Sequence, residues 1–369
     1  MTPRERVLAV YAGEKPDQVP LLLDLSHWHK ANRKLPFDLT GYKGVDHDLV
    51  ALHKKVQAVS YVEMGGYFDL YTDNPKITDT AWTDSHGVFH RKITTPAGVL
   101  EEERIFSEQS YSYNIRKHLL QSVEDFEAVK CIMKSYKVKP RWDRYTAWRE
   151  ALGDLGVIYC PLPYSGLGYL ISRNFGIENT VYAAMDYPKE TQELIDAVNT
   201  CNLSILDTII DGPFEILIIS DNFDSNVQNE GLFNQYSRAY YTEVARRLHA
   251  AGKYLAVHVD GEMRGCLKNF KSCGVDCIDA ATPSPMFSLT PKAAREEAGH
   301  DLILSGGIPA NIFGSGGSDA DFVTCVLNWL DTRTASFRLF MAAGDQVPTD
   351  APFHRIEMLH ELTAQYGRF

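Results

Sequence analysis

Clustered positive charge is what this sequence most plainly lacks: 37 Lys and Arg face 48 Asp and Glu, for a net charge of −11. A nucleic-acid footprint needs concentrated Lys and Arg to meet phosphates, so this balance argues against such a partner. The amino-terminal stretch MTPRERVLAVYAGEKP scatters charges through a short apolar run, which fits neither a signal peptide nor a membrane span, and a cytoplasmic, non-membrane protein is expected. Cysteine is sparse: Cys131, Cys160, Cys201, Cys266, Cys273, Cys277 and Cys325 form an odd set without a C-x-x-C pair, which suits reduced thiols better than a disulfide framework. Cys273 and Cys277 invite a metal reading, although free cysteine is more often a small buried hydrophobe. Gly306-Gly307 and Gly314-Ser315-Gly316-Gly317 lack both the Walker pattern and G-x-G-x-x-G spacing, so turn flexibility accounts for them.

What is present is apolar material in a regular order. Hydrophobic residues at 44% and charged residues at 23% provide for a large core and exclude a disordered chain. Eight short β-rich runs alternate with helical segments: Val19–Asp24, Tyr67–Asp73, Val157–Pro163, Phe214–Asn222, Tyr254–Asp260, Val275–Ala281, Asp301–Ile308 and Phe337–Gly344. Such alternation predicts a parallel sheet with crossover helices, and eight strands close a (β/α)8 TIM barrel, here a single domain over residues 1–369. Thr2-Pro3 with Glu5, Ser122 with Asp125, and Thr290-Pro291 are predicted helix starts, while Gly252 and Gly299 are predicted stops. Residues 78–104 break the pattern with period-2 alternation and glycine turns, predicting antiparallel β-hairpins inserted after the second strand, as a cap on the barrel mouth or an oligomer contact.

Loops after the carboxyl ends of barrel strands build the active site. This selects Asp24, His27, Trp28 and His29 after the first run, Tyr164 and Ser165 after the third, and Asp221, Asn222 and Asp224 after the fourth. It also selects His258 and Asp260 on the fifth, Asp279 on the sixth and Asp345 after the eighth. His258 and Asp260 stand two apart on a strand and so share a face. With Asp279 and Asp345 they form an imidazole and carboxylate set that could hold zinc or a similar divalent ion, could work as acid and base, or could be an ordinary buried hydrogen-bonded pair. His27 and His29 line the cavity or sit on the surface. Asp221 and Asn222 orient a substrate or cap the next helix.

The blocks Val19-Pro20, ITTPAGVLEEER, SRNFGIENTVYAAMDYPKETQELI, HAAGKYLAVHVDGEM, GVDCIDAATPSP and AAGDQVPTDAP together resemble the uroporphyrinogen decarboxylase-like superfamily, in particular its corrinoid-dependent methyltransferases. The resemblance implies a (β/α)8 barrel. True decarboxylases of this kind carry an arginine-rich segment after the first strand; here that stretch is DLSHWHKANRK, so porphyrinogen decarboxylation is not expected. Thiol-directed methyltransferases bind zinc through His-x-Cys, an acid and a late Cys; by resemblance these positions hold His258, Asp260, Asp279 and Asp345, so both thiolates are replaced by carboxylates. That favours methyltransferase I of O-demethylase systems, in which a methyl group passes from a methoxylated aromatic to the cobalt of a separate corrinoid protein. His258, Asp260, Asp279 and Asp221 are then the catalytic candidates, the first three with Asp345 also as ligands of a divalent metal, zinc first. Asp24, His27, Trp28, Tyr164, Asn222 and Asp345 are the substrate-binding candidates. With no D-x-H-x-x-G motif, the corrinoid is expected on the partner protein. Methylcorrinoid-to-thiol or tetrahydrofolate transfer and a lyase stay open as alternatives, and the resemblance allows a homodimer.

Overall fold

The computed structural model describes residues 1–37, 43–62 and 66–369. Eight parallel strands neighbour one another in chain order: β1 (Leu22–Leu23), β2 (Val59–Val62), β3 (Gly156–Leu162), β4 (Ile216–Ile219), β5 (Tyr254–His258), β6 (Cys277–Ala281), β7 (Ile303–Ile308) and β8 (Leu339–Ala343). A parallel bridge from Leu21 to Met341 joins the first strand to the last, so the sheet closes as a (β/α)8 barrel. Seven of the eight predicted runs overlap their barrel strands, the third starting one residue late. The exception is the second, where Val59–Val62 takes the barrel position and Phe68–Tyr71 pairs antiparallel with Lys137–Pro140 outside it. The reason is burial: a barrel strand is covered on both faces and must be apolar on both. Phe68–Tyr71 instead carries Asp69 on a half-wet ribbon, where Arg141 and Arg144 hold it.

The barrel interior is a packed layer rather than a channel. Val59, Val157, Tyr159, Ile216, Ile218, Ala256, Cys277, Ile303 and Phe340 meet inside it, and Val7, Val10 and Tyr11 of the first helix, Pro3–Ala12, plug its lower end. That helix starts at the predicted capping box, with the Glu5 backbone N–H donating to Thr2 Oγ1 and Glu5 accepting from the Thr2 backbone. The predicted caps at Ser122 and Thr290 also form, and Gly252 and Gly299 adopt positive φ at 70° and 71°. Cys277 lies inside the barrel against Tyr11, whereas Cys273 packs in the outer core between sheet and helices. The two thiols face different compartments and cannot share an ion.

The inserted region is larger than its 78–104 signature. Thr78–Thr83, Val88–Thr95, Gly98–Ser107 and Ser112–Lys117 form a four-stranded antiparallel sheet, whose half-exposed last strand has too little apolar alternation to be read locally. Its Ile77, Ile93 and Leu100 side share a core with Phe126, Val129 and Ile132 of helix Phe126–Ser135 and with Leu194 and Val198 of helix Pro188–Ile209. Its tip reaches the barrel mouth: the Tyr111 hydroxyl donates to the Leu35 carbonyl, and the Thr349 hydroxyl donates to the Gln109 carbonyl at 3.2 Å. Among the described residues, no helix is long and apolar enough to cross a membrane.

Candidate active site

The inward positions of neighbouring strands run in steps of two, so Ala256, Cys277 and Ile303 deep in the barrel lead to His258, Asp279 and Ser305 one layer nearer the mouth. The β5–β6 register places His258 opposite Asp279. A bulge in the β6–β7 pairing between Ile278 and Ala281, with Ala280 at φ 63°, turns the strand end at this point. The result is a buried pair: His258 Nδ1 donates to Asp279 Oδ2 at 2.9 Å, and Ser305 Oγ lies 3.5 Å from Asp279 Oδ1. Since a carboxylate accepts, this bond keeps the proton on Nδ1 and turns Nε2 toward the mouth.

There Nε2 meets Asp345 Oδ1 at 3.7 Å. Asp345 is walled by protein, yet water reaches 38% of its side chain, as expected for a group at the bottom of a recess. Its pKa is pushed up to about 6, first by burial and then by the carboxylates of Asp260 and Asp24, against the opposing pull of His258. Asp24 is buried, takes the Ser26 backbone N–H at 2.8 Å, and is tied to the β8 loop through the Val347 N–H. Asp260 lies beyond the last ladder residue of β5 and is exposed on the rim.

An ion shared by His258, Asp260, Asp279 and Asp345 was the expectation, and the geometry does not fit it. Asp279 occupies Nδ1 while Asp345 faces Nε2, so the two carboxylates stand at opposite edges of one imidazole. Among the described residues, no three His, Cys, Asp or Glu side chains converge as a metal-ligand group. The arrangement is that of an orienting carboxylate, an imidazole and an acid poised near neutral pH.

The other candidates separate. His27 is buried beside the site, its pKa lowered by burial against the pull of Asp24, and its ring lies 5.6 Å from that of Phe37. Phe37 in turn meets Phe106 and Tyr113 of the inserted sheet at 6.3 and 6.0 Å, forming an aromatic fence that no local sequence signal announced. Trp28 points elsewhere: its indole N–H donates to the Ala351 carbonyl at 2.9 Å and its ring packs on Phe353, which locks the β1 and β8 loops together. His29 faces Asp46 at 3.6 Å. Tyr164 borders a cavity under the inserted sheet. Asn222 is exposed at the end of β4 with φ 47°.

Asp221 has no exposed surface. Its carboxylate accepts from the Ser165 backbone N–H at 2.7 Å and from the Ser165 and Tyr241 hydroxyls, so it holds the β3 loop in place instead of lining the mouth. Gly306 and Gly307 are likewise not turn residues; they lie within β7, where a Cβ would come within 2.2 Å of the Ala281 carbonyl oxygen and 2.4 Å of the Trp329 ring. The Gly314–Gly317 loop is held by Arg355, which donates to the carbonyls of Gly314 and Gly317, and by Asp350, which accepts from Ser315.

The family model for uroporphyrinogen decarboxylase (URO-D) matches residues 92–366, from the inserted sheet through the last helix. The chain belongs to the uroporphyrinogen decarboxylase family. A solved structure described as a methyltransferase from Methanosarcina mazei superposes on this family member with a TM-score of 0.64 at 11% identity, covering 99% of each chain, which shows a shared fold. A D-psicose 3-epimerase from Clostridium cellulolyticum H10 is a more distant likeness, with a TM-score of 0.33 at 12% identity over 61% of this chain and 82% of its own. No curated protein matches the sequence. Within the family frame, the segment from Asp24 to Lys34 is the loop after β1 and a short helix, whose Arg33 pairs with Asp48.

Proposed function

We propose that this family member is a methyltransferase that moves a methyl group from a small donor, a methoxylated aromatic first, to the cobalt of a separate corrinoid protein. The observation that carries the reading is the 3.7 Å gap between His258 Nε2 and Asp345 Oδ1. That distance is too long for a direct hydrogen bond, yet one donor oxygen can sit within hydrogen-bond reach of both atoms. The end-to-end fold match with a methyltransferase supports the class of reaction. Against decarboxylation of a polycarboxylate stands the mouth itself, where Asp24, Asp260 and Asp345 gather and would repel further anions.

In the proposed reaction the corrinoid protein is the methyl acceptor and supplies the nucleophile. The O–CH3 bond breaks, its electron pair stays on oxygen, and the methyl carbon bonds to cobalt. This chain handles the oxygen: protonated Asp345 gives it a proton as negative charge develops, while His258 in its imidazolium form, with Nδ1–H held by Asp279, donates its Nε2–H from the other side. His27 and Phe37, with Phe106 and Tyr113 behind, offer faces for a planar ring. Burial, and after it the carboxylates of Asp260 and Asp24, keeps Asp345 protonated to a higher pH than an isolated carboxyl.

The test mixes the protein with a reduced corrinoid protein and a panel of methoxyarenes, methylamines and methyl halides while the Co(I) to methyl-Co(III) spectral change is followed. Methoxyarene-dependent methylation is expected. No change with any donor rejects the function, and a response confined to amines rejects the substrate class.

A further inference from the structure

A cavity of about 240 Å³, with none of His258, Asp279 and Asp345 in its wall, lies between the inserted sheet, helix Phe126–Ser135, helix Pro188–Ile209 and the loop after β3. Its charge is one-sided. Arg91, Arg104 and Arg173 line it, and among the described residues no acidic side chain does. Two of the three are neutralised from behind: Arg104 forms a bidentate pair with buried Glu102 at 2.7 Å through both oxygens, and Arg91 pairs with Asp79 at 3.0 and 2.6 Å. Arg173 is different. Among the described residues its guanidinium has no carboxylate or hydrogen-bond partner; only its backbone carbonyl is used, by His118 Nδ1.

Arg173 is half-buried and close enough to Arg104 to depress that group's pKa, second only to burial and against the pull of Glu102. A guanidinium held beside another in a recess, with one cation in excess, is electrostatically incomplete and complementary to a single anion. The rest of the wall is apolar or aromatic, with Ile93, Ile132, Val198 and Tyr169 among its members. A cavity of about 150 Å³ admits benzene. One of about 240 Å³ therefore has room for a ring bearing a small charged group.

We propose that this cavity is a binding site, separate from the His258 centre, for a small aromatic monocarboxylate whose carboxylate bridges Arg173 and Arg104 and whose ring lies against the apolar wall. Such a ligand joins the inserted sheet, through Arg91 and Arg104, to the barrel loop that carries Arg173. Because the tip of that sheet contacts the mouth at Leu35 and Thr349, occupancy also stiffens the cap over the active site.

The test is calorimetric titration of the intact protein with benzoate and, separately, inorganic phosphate, on wild type, Arg173→Met and His258→Gln. Saturable benzoate binding at one site per chain is expected, with Kd on the order of 0.1 mM, weakened at least about tenfold in R173M and unchanged in H258Q. Thermal melting checks that R173M is folded; Leu70→Trp, which fills the rim without altering a charge, blocks binding equally and serves if R173M is not. Absence of saturable benzoate binding, binding indifferent to R173M, or binding lost in H258Q overturns the proposal. Phosphate binding in place of benzoate also overturns it, since the apolar wall would then have no role.

Discussion

His258 and Asp279 are register partners on adjacent parallel strands, and their side chains join through a 2.9 Å bond from Nδ1 to Oδ2. Everything proposed for the mouth depends on this bond, because it decides which imidazole nitrogen faces the reacting oxygen. Asp279→Asn leaves the volume intact but removes the negative charge that holds the proton on Nδ1 and supports a protonated ring. The expected outcome is a fall in the methyl-transfer rate of roughly 10²–10⁴-fold with an unchanged melting temperature. Stopped-flow methylation of the corrinoid partner measures it, and a rate within threefold of wild type would remove His258 from the mechanism.

Asp345 sets the pH dependence. Its pKa is raised to about 6, so the protonated donor form prevails below that value and is lost above it. The proton-dependent rate is expected to decline as pH rises through about 6, and Asp345→Asn should abolish that limb. A profile that rises across the same interval would mean that Asp345 acts as a base.

The same shift has a consequence for stability with its own sign. A carboxyl whose folded pKa is raised contributes stability that is full below the unfolded value and disappears as pH passes about 6. At pH 8 the ionised side chain is therefore a burden on the folded state, reduced by its contact with water. Asp345→Asn is expected to melt about 1–2 °C higher than wild type at pH 8 and no higher at pH 4. Scanning calorimetry at the two pH values decides the point.

Asp221 is expected to behave as a structural carboxylate. Asp221→Ala leaves Ser165 and Tyr241 without their acceptor inside the protein and should destabilise the fold by about 2–4 kcal/mol, read from the urea midpoint. If the variant is as stable as wild type but inactive, a direct role in the reaction is restored.

Backbone geometry around the bulge gives a pair of opposed outcomes. Ala280→Gly relieves a left-handed backbone at φ 63° and should be neutral to stabilising, by up to about 1 kcal/mol. Gly306→Ala, whose Cβ would stand 2.2 Å from the Ala281 carbonyl oxygen, should cost about 3 kcal/mol and displace the strand that carries Asp279. Denaturant titration of both variants tests the contrast.

Much of the architecture was legible in the chain because it rests on short-range rules. Continuous apolar runs such as ILII in β4 announce strands buried on both faces, and the Thr2, Ser122 and Thr290 caps mark helix starts through bonds spanning only a few residues. The second strand escaped because Val59–Val62 and Phe68–Tyr71 are both four residues long and both carry strand-forming side chains, so nothing local separates the barrel strand from its rival. Gly306 and Gly307 read as turn residues because the contacts that require glycine, Ala281 and Trp329, come from other parts of the chain.

The sequence by itself determined an acidic (β/α)8 barrel and the set of polar residues at its mouth, since alternation, capping and strand-end position are local properties. Only the tertiary structure decided how those residues divide. Strand register and the Ala280 bulge put Asp279 on one nitrogen of His258 and left the other to Asp345. Enclosure by Ser165 and Tyr241 removed Asp221 from the mouth, and the packing of an inserted sheet left Arg173 facing a cavity. These relationships join residues tens of positions apart, and side-chain chemistry at one position carries no record of which atom a distant strand will bring to meet it.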